Sequence, residues 1–348
     1  MKRRLIVCFS LIALLVLILD PTTTQQGASE GILLCIQTVI PALFPFLVLS
    51  SVLINVLNGN QSWLLRGIGK LLRLPNGFES IWLISLLGGY PIGAKCIADA
   101  VSQDGLSHLD AERMLCFCSN AGPSFIFGLG IHLFGDLRYA FLVWGIHILS
   151  SAVVAILTPG IPGSASVKHS QQGANVSMAI NKAVQTMAMI CGWVVLFRIL
   201  ITVTYQRILF ILGDKWLPIL GGILELTNGC TLLQNYGTFT SRLVLLSGFL
   251  GFGGLCVAMQ THTILSNSGV AFSSYLPAKM TQAAISVMVS SLASLICFPE
   301  EHTARLSWIL ISSLVILGYK LVHRHKSLEN VLSFPGKMMY TNSKLHTR

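Results

Sequence analysis

The chain has 348 residues, 53% of them hydrophobic and only 10% charged, with a mean hydropathy of +0.72. An average soluble domain carries about 25% charged residues, so this composition excludes an ordinary soluble protein and implies a polytopic membrane protein. The formal charge of +10 is scattered over loops and ends, without the one-sided gathering of bases that marks a nucleic-acid surface, so no nucleic-acid partner is expected.

A spanning helix needs about 20 mainly apolar residues. Candidate runs fall at 5–20, 32–57, 81–100, 114–134, 139–158, 186–205, 208–226, 243–265, 281–298 and 307–323. Lys2, Arg3 and Arg4 precede the first run, and Arg66, Lys70 and Arg73 follow the second. Basic residues concentrate in cytoplasmic loops, so both flanks lie inside and the segment from Asp20 to Glu30 outside. Arg324, Lys326, Lys337, Lys344 and Arg348 place the C-terminal tail in the cytoplasm as well. Residues 1–20 also fit a signal peptide, but no small-x-small cleavage site follows among Thr22 to Gln26, which favours an uncleaved first helix. The nine cysteines lie almost entirely within apolar runs, where a thiol packs as a small hydrophobe, and not at the spacings of a disulfide framework.

Two glycine-centred interruptions stand inside these runs: Gly88-Gly89-Tyr90-Pro91-Ile92-Gly93-Ala94-Lys95 and Ser119-Asn120-Ala121-Gly122-Pro123-Ser124. An unpaired amide in hydrocarbon costs several kcal/mol, so backbone breaks at membrane depth persist only where protein or an aqueous cavity covers them. Between the two lies a polar elbow in which Asp110 and Arg113 have helical-neighbour spacing. A second stretch repeats the order, with Glu225-Leu226-Thr227-Asn228-Gly229-Cys230, an elbow ending at Arg242, and Gly248 to Gly254. Gly93 aligns with Gly229 and Gly122 with Gly253. Paired, interrupted segments in two halves point to the substrate site of a secondary transporter. The expected organisation is an N-terminal helix and external loop (1–29), a first repeat (30–158), a linker (159–184), a second repeat (185–300), and a final helix with a basic tail (301–348).

The residues beside the breaks are the candidate site. Helices beginning after Pro91 to Gly93, after Gly122, and after Asn228 to Gly229 present free N–H groups and about half a positive charge, which suits an anion. Tyr90 offers a ring at the first break, and the glycines let backbone approach a ligand. Lys95 is an ionisable group in an apolar arm; it faces a ligand, snorkels to the surface, or pairs with Asp99 one turn away. Arg198, inside the apolar run, grips a substrate carboxylate or holds an internal partner, with Glu225 foremost. Ser119, Asn120, Ser124, Thr227 and Asn228 orient a ligand or cap helices. Gln260, with Thr261 and His262, lines the site or bonds between helices. His132 and His147 read as packed side chains. No His, Cys and carboxylate grouping suits a metal, no phosphate-binding GxxxxGK[ST] loop is present, and Ser124 and Lys95 lack an acid-base partner. Neither a metal, a cofactor nor an enzymatic role is expected, and no residue is assigned as catalytic.

The runs FPFLVLSSVL, GGYPIGAK, ERML, FCSNAGPSFIFG and ILELTNGC together resemble YlbJ-type sporulation integral membrane proteins, of the nucleoside-recognition, or Gate, domain group related to concentrative nucleoside transporters. The resemblance covers roughly residues 30–300. It implies an all-α polytopic protein of endospore-forming bacteria with two inverted Gate-type repeats, each built on a re-entrant or broken helical hairpin. It further implies synthesis in the mother cell, a place in the mother-cell or outer forespore membrane, a need for the protein in spore cortex formation, and delivery of dipicolinic acid to the forespore. The nucleoside-transporter relatives are trimers, so a homo-oligomer is implied too. Gly251-Phe252-Gly253-Gly254 has no Asn-x-x-Pro equivalent, which argues against equal substrate contact by the two hairpins. Other readings are a non-transporting scaffold for spore envelope assembly and a nucleoside-type small-molecule carrier.

Overall fold

The computed structural model describes residues 11, 15, 17–57, 63–103, 105–158, 176–207, 216–297 and 308–320. The basic start of the chain, residues 159–175 of the expected linker (159–184), the connector at 208–215 and the C-terminal tail lie outside the described residues, and residues 176–184 of that linker are helical. Among the described residues every regular element is a helix, and five helical stretches are long and apolar enough to cross a bilayer: Pro21–Leu49, Leu137–Leu157, Val176–Tyr205, Phe239–Leu265 and Tyr275–Cys297. The protein is an all-α polytopic membrane protein.

Its polarity is inverted relative to a water-soluble fold. Ile36, Leu49, Phe141, Leu149, Leu292 and Ile296 project outward, Ile296 with 85% of its surface exposed, as hydrocarbon permits and water does not. Inside lie Ser85, Ser150, Ser151, Ser286, Ser290 and Ser294, each fully buried. Small hydroxyl side chains let membrane helices approach closely while bonding to the preceding turn; Ser290 Oγ donates to Val287 O at 3.1 Å and Ser294 Oγ to Ser291 O at 2.7 Å.

Helix α1 (Pro21–Leu34) passes through one π-helical turn (Cys35–Val39) into α2 (Ile40–Leu57). Residues 21–30, expected as an external loop, are therefore helical. Asp20 caps the start by accepting the Thr23 N–H at 3.3 Å, and Pro21 suits the first turn. The polar composition PTTTQQGASE is reconciled with a helix by packing: Gly27 and Gly31, one turn apart, lie against α9 (Val176–Arg207) so closely that an added Cβ would come within 2.9 Å of the Ile199 and Val195 Cα atoms.

An amphipathic α3 (Trp63–Leu72) leads to the broken pair α4 (Glu79–Gly88) and α5 (Ile92–Ser102), then to α6 (His108–Leu115), α7 (Pro123–Phe134) and α8 (Leu137–Leu157). After α9 come α10 (Leu217–Leu224), α11 (Leu226–Leu232), α12 (Phe239–Phe252), α13 (Gly254–Leu265) and α14 (Tyr275–Cys297). Helix α15 (Trp308–Lys320) follows. Helix α12 is wrapped by α14 and α8, while α1 and α2 pack along α9.

The elbow residue Arg113 is 7% exposed and donates to four main-chain carbonyls: Leu72 at 2.8 Å, Arg73 at 2.8 Å, Ala155 at 3.1 Å and Thr158 at 3.3 Å. These are the orphan acceptors at the C-terminal ends of α3 and α8, where a cation also complements the helix dipole. Replacing Arg113 by Met leaves several buried carbonyls without donors at about 1–3 kcal/mol each, so Arg113→Met is expected to cost ~3 kcal/mol or more in thermal unfolding of the detergent-purified protein. Gly31→Leu, which drives a side chain into Val195, is expected to cost ~1–3 kcal/mol in the same assay, whereas Gly145→Ala, with open space around it, is expected to be neutral.

Candidate functional site

Among the described residues the helices are interrupted at four places that come together. The first lies at Gly89 to Pro91, the second at Cys116 to Gly122, the third at Glu225 and the fourth at Gly253. Both interruptions expected in the first half are present. In the second half the break falls at Glu225, so α11 starts at Leu226 rather than after Gly229. Contacts run from break to break: a Cβ on Gly89 would come within 2.9 Å of the Gly122 nitrogen, one on Gly253 within 3.1 Å of the Tyr90 ring, and one on Gly254 within 3.1 Å of the Leu226 nitrogen.

The second and third breaks have backbone groups taken up by side chains, as burial requires. In the second, Phe117 O accepts from Asn120 Nδ2 at 2.8 Å and Ser151 Oγ at 2.9 Å, and the Ala121 N–H donates to His147 Nε2 at 3.0 Å. His147 thus carries its proton on Nδ1 and serves as a main-chain acceptor, consistent with a packed histidine. In the third, Glu225 accepts the N–H groups of Thr227 at 3.0 Å and Asn228 at 2.8 Å, capping α11 with its own carboxylate. In the first, the Tyr90 hydroxyl donates to Leu250 O at 3.0 Å. In the fourth, φ is +84° at Gly253 and +82° at Gly254, a left-handed pair that glycine adopts without strain.

A partly open cavity lies against these breaks. Its apolar wall includes Val39, Leu43, Phe125, Ile190, Val194 and Val257, and its polar groups are Thr38, Tyr90, Glu225, Thr227 and Gln260. The N-terminus of α7 opens onto it at Gly122 with no side-chain cap.

Of the candidate residues read from the sequence, Tyr90, Gly122, Glu225, Thr227 and Gln260 line this cavity together. Ser119 and Asn120 are fully buried behind it. Gly93 is packed where an added Cβ would collide with the carbonyl oxygen of Cys118, and Gly229 is packed against Gly222. Ser124 is exposed. Lys95 pairs with Asp99 at 3.0 Å, both partly exposed, which is the intrahelical alternative among its three readings. Arg198 does have an internal partner, but it is Glu30 at 2.7 Å rather than Glu225. The guanidinium also bonds Asn228 Oδ1, and Asn228 Nδ2 donates to Glu225 at 2.7 Å, so Glu225 is reached through an amide relay.

Lys279 and Gln282 were not among the candidates. Lys279 is fully buried in α14, with Nζ donating to Ser119 O at 2.7 Å and to Gln282 Oε1 at 2.5 Å. Gln282 Nε2 in turn donates to Asn120 Oδ1 at 3.1 Å. The apolar run read at 281–298 begins two residues after Lys279, which put the lysine outside the helix. Pro277, a first-turn residue of α14, was the available signal that the helix starts earlier.

Gly93→Ala forces its methyl into main-chain oxygen rather than into a movable side chain, so it is expected to abolish accumulation of folded protein. Ser124→Ala is expected to leave it unchanged; monodispersity on size-exclusion chromatography checks both.

No family model and no solved structure matches the chain. The chain is 24% identical to the sporulation integral membrane protein YlbJ of Bacillus subtilis (strain 168), over 82% of each chain.

Proposed function

We propose that the chain is a membrane carrier of sporulating cells that binds a small anionic solute, dipicolinate, in the cavity between the helix breaks and moves it toward the forespore. The observation that carries this reading is the convergence of three interruptions on one cavity, with the fourth packed against Tyr90 and Leu226. A membrane scaffold needs no such arrangement, whereas discontinuous helices meeting at a central site are the usual construction of secondary transporters. The resemblance to YlbJ supplies the sporulation setting.

The chemistry of the wall fits a flat, ring-bearing anion. Phe125 and Tyr90 offer aromatic faces, the uncapped start of α7 offers N–H groups and positive potential, and Gln260 offers an amide. Glu225 has its carboxylate turned to the amides of α11. Recognition then rests mainly on the first-half break, in keeping with the missing Asn-x-x-Pro of the second half.

In the same reading the two halves are inverted repeats with re-entrant pairs, both termini are cytoplasmic, and the copies associate as a homo-oligomer. The membrane is that of the mother cell or the outer forespore, and cortex formation depends on the solute delivered. The protein performs no covalent chemistry.

Dipicolinate is expected to raise the melting temperature of the purified protein in lipid nanodiscs, and benzoate, with one carboxylate, is not. Val257→Trp fills the cavity and is expected to weaken dipicolinate binding at least tenfold, ~1.4 kcal/mol, with folded protein retained. Folded protein that neither binds dipicolinate nor moves it into proteoliposomes overturns the carrier reading and favours a scaffold.

A further inference from the structure

Lys279 presents a chemical problem of its own. It is completely buried within a helix that spans the bilayer, and among the described residues no carboxylate lies within ion-pair distance of it. An ammonium in such a place is costly and marks a functional position. Its three donors are nevertheless all engaged: the Ser119 carbonyl at 2.7 Å, the Gln282 amide oxygen at 2.5 Å and the face of the Tyr90 ring, whose centroid is 5.0 Å away. Two of those ligands are neutral oxygens, one of them a main-chain carbonyl freed by a helix break. Unwound carbonyls of this kind are what coordinate sodium in membrane transporters.

The oxygens are also held in place. Ser119 belongs to the second break, and its hydroxyl shares a 3.4 Å hydrogen bond with Tyr275. Gln282 is fixed by Asn120, whose own amide nitrogen bonds Ser85 Oγ at 3.1 Å. The cation thus ties α14 to the second break and, through Tyr90, to the first. Tyr90 then forms part of the cavity wall.

We propose that the Lys279 ammonium is a tethered internal cation, occupying the position an alkali-metal ion would otherwise hold between the second helix break and α14, so that the central site assembles without sodium. The device is independent of which solute the cavity takes. A covalently attached amine needs no binding from solution, whereas a free ion must be bound and its site empties as the ion is diluted.

Thermal unfolding of the full-length protein in lipid nanodiscs tests this, with sodium chloride compared against choline chloride at equal ionic strength. The wild type is expected to melt at the same temperature in both. Lys279→Ala opens space beside the two oxygens; it is expected to melt lower in choline chloride and to recover in sodium chloride or in ethylammonium chloride. Lys279→Met keeps the shape without the charge and blocks the space, so it is expected to melt lower in every salt. Sodium-dependent stabilisation of the wild type overturns the proposal, as does a Lys279→Ala protein indifferent to the salts. If Lys279→Ala does not fold, the methionine variant decides: stability equal to wild type in choline chloride shows that the charge holds nothing together.

Discussion

An amide that leaves a helix inside hydrocarbon must be bonded by something other than water, and this chain leaves its helices four times in one neighbourhood. That requirement explains the buried polar side chains, which are otherwise out of place in so apolar a protein. Asn120, His147 and Ser151 each take a backbone group of the second break, and Glu225 takes two of the third. At the membrane-flanking ends the same need is met by Arg113, which gathers carbonyls from two helix termini at once. His147, Ser151 and Arg113 are each distant in sequence from the backbone they satisfy, so the second break and these helix ends depend on the assembled bundle.

The two halves meet this requirement in different ways, and the difference shapes the cavity. In the second half the helix start at the cavity wall is closed by its own carboxylate, Glu225. In the first half α7 begins at Gly122 with no side-chain cap. A dipole end that faces empty space rather than a carboxylate is the natural place for an external anion. The helix starts at α7 and α11 thus differ in their chemistry.

Much of this was legible in the sequence, because glycine and proline clusters inside apolar runs have few explanations other than a break. Gly88 to Gly93 and Ser119 to Pro123 are therefore read directly. The helix at residues 21–30 was hidden because local composition there is that of a loop; only its packing against Val195 and Ile199, which no local pattern encodes, makes it helical. Assigning that stretch to a loop also concealed Glu30 as the partner of Arg198. Lys279 was missed for a related reason: hydropathy finds the middle of a spanning helix and loses its first turns, where Tyr275, Pro277 and Lys279 stand. Gln282, three residues on from Lys279, gains its meaning only from Asn120 across the bundle.

Two cations hold the site from opposite sides, and their ligands distinguish them. Arg198, from α9, is held by the carboxylate of Glu30 and reaches the third break through Asn228. Its charge is matched locally. Lys279, from α14, is held by a carbonyl, an amide and a ring face, none of which carries a formal charge. Among the described residues Arg198 therefore has a carboxylate partner and Lys279 has none. Because α7 also begins at Gly122, in contact with Gly89 beside Tyr90, an uncapped helix start and the Lys279 side chain both border the Tyr90 wall of the cavity.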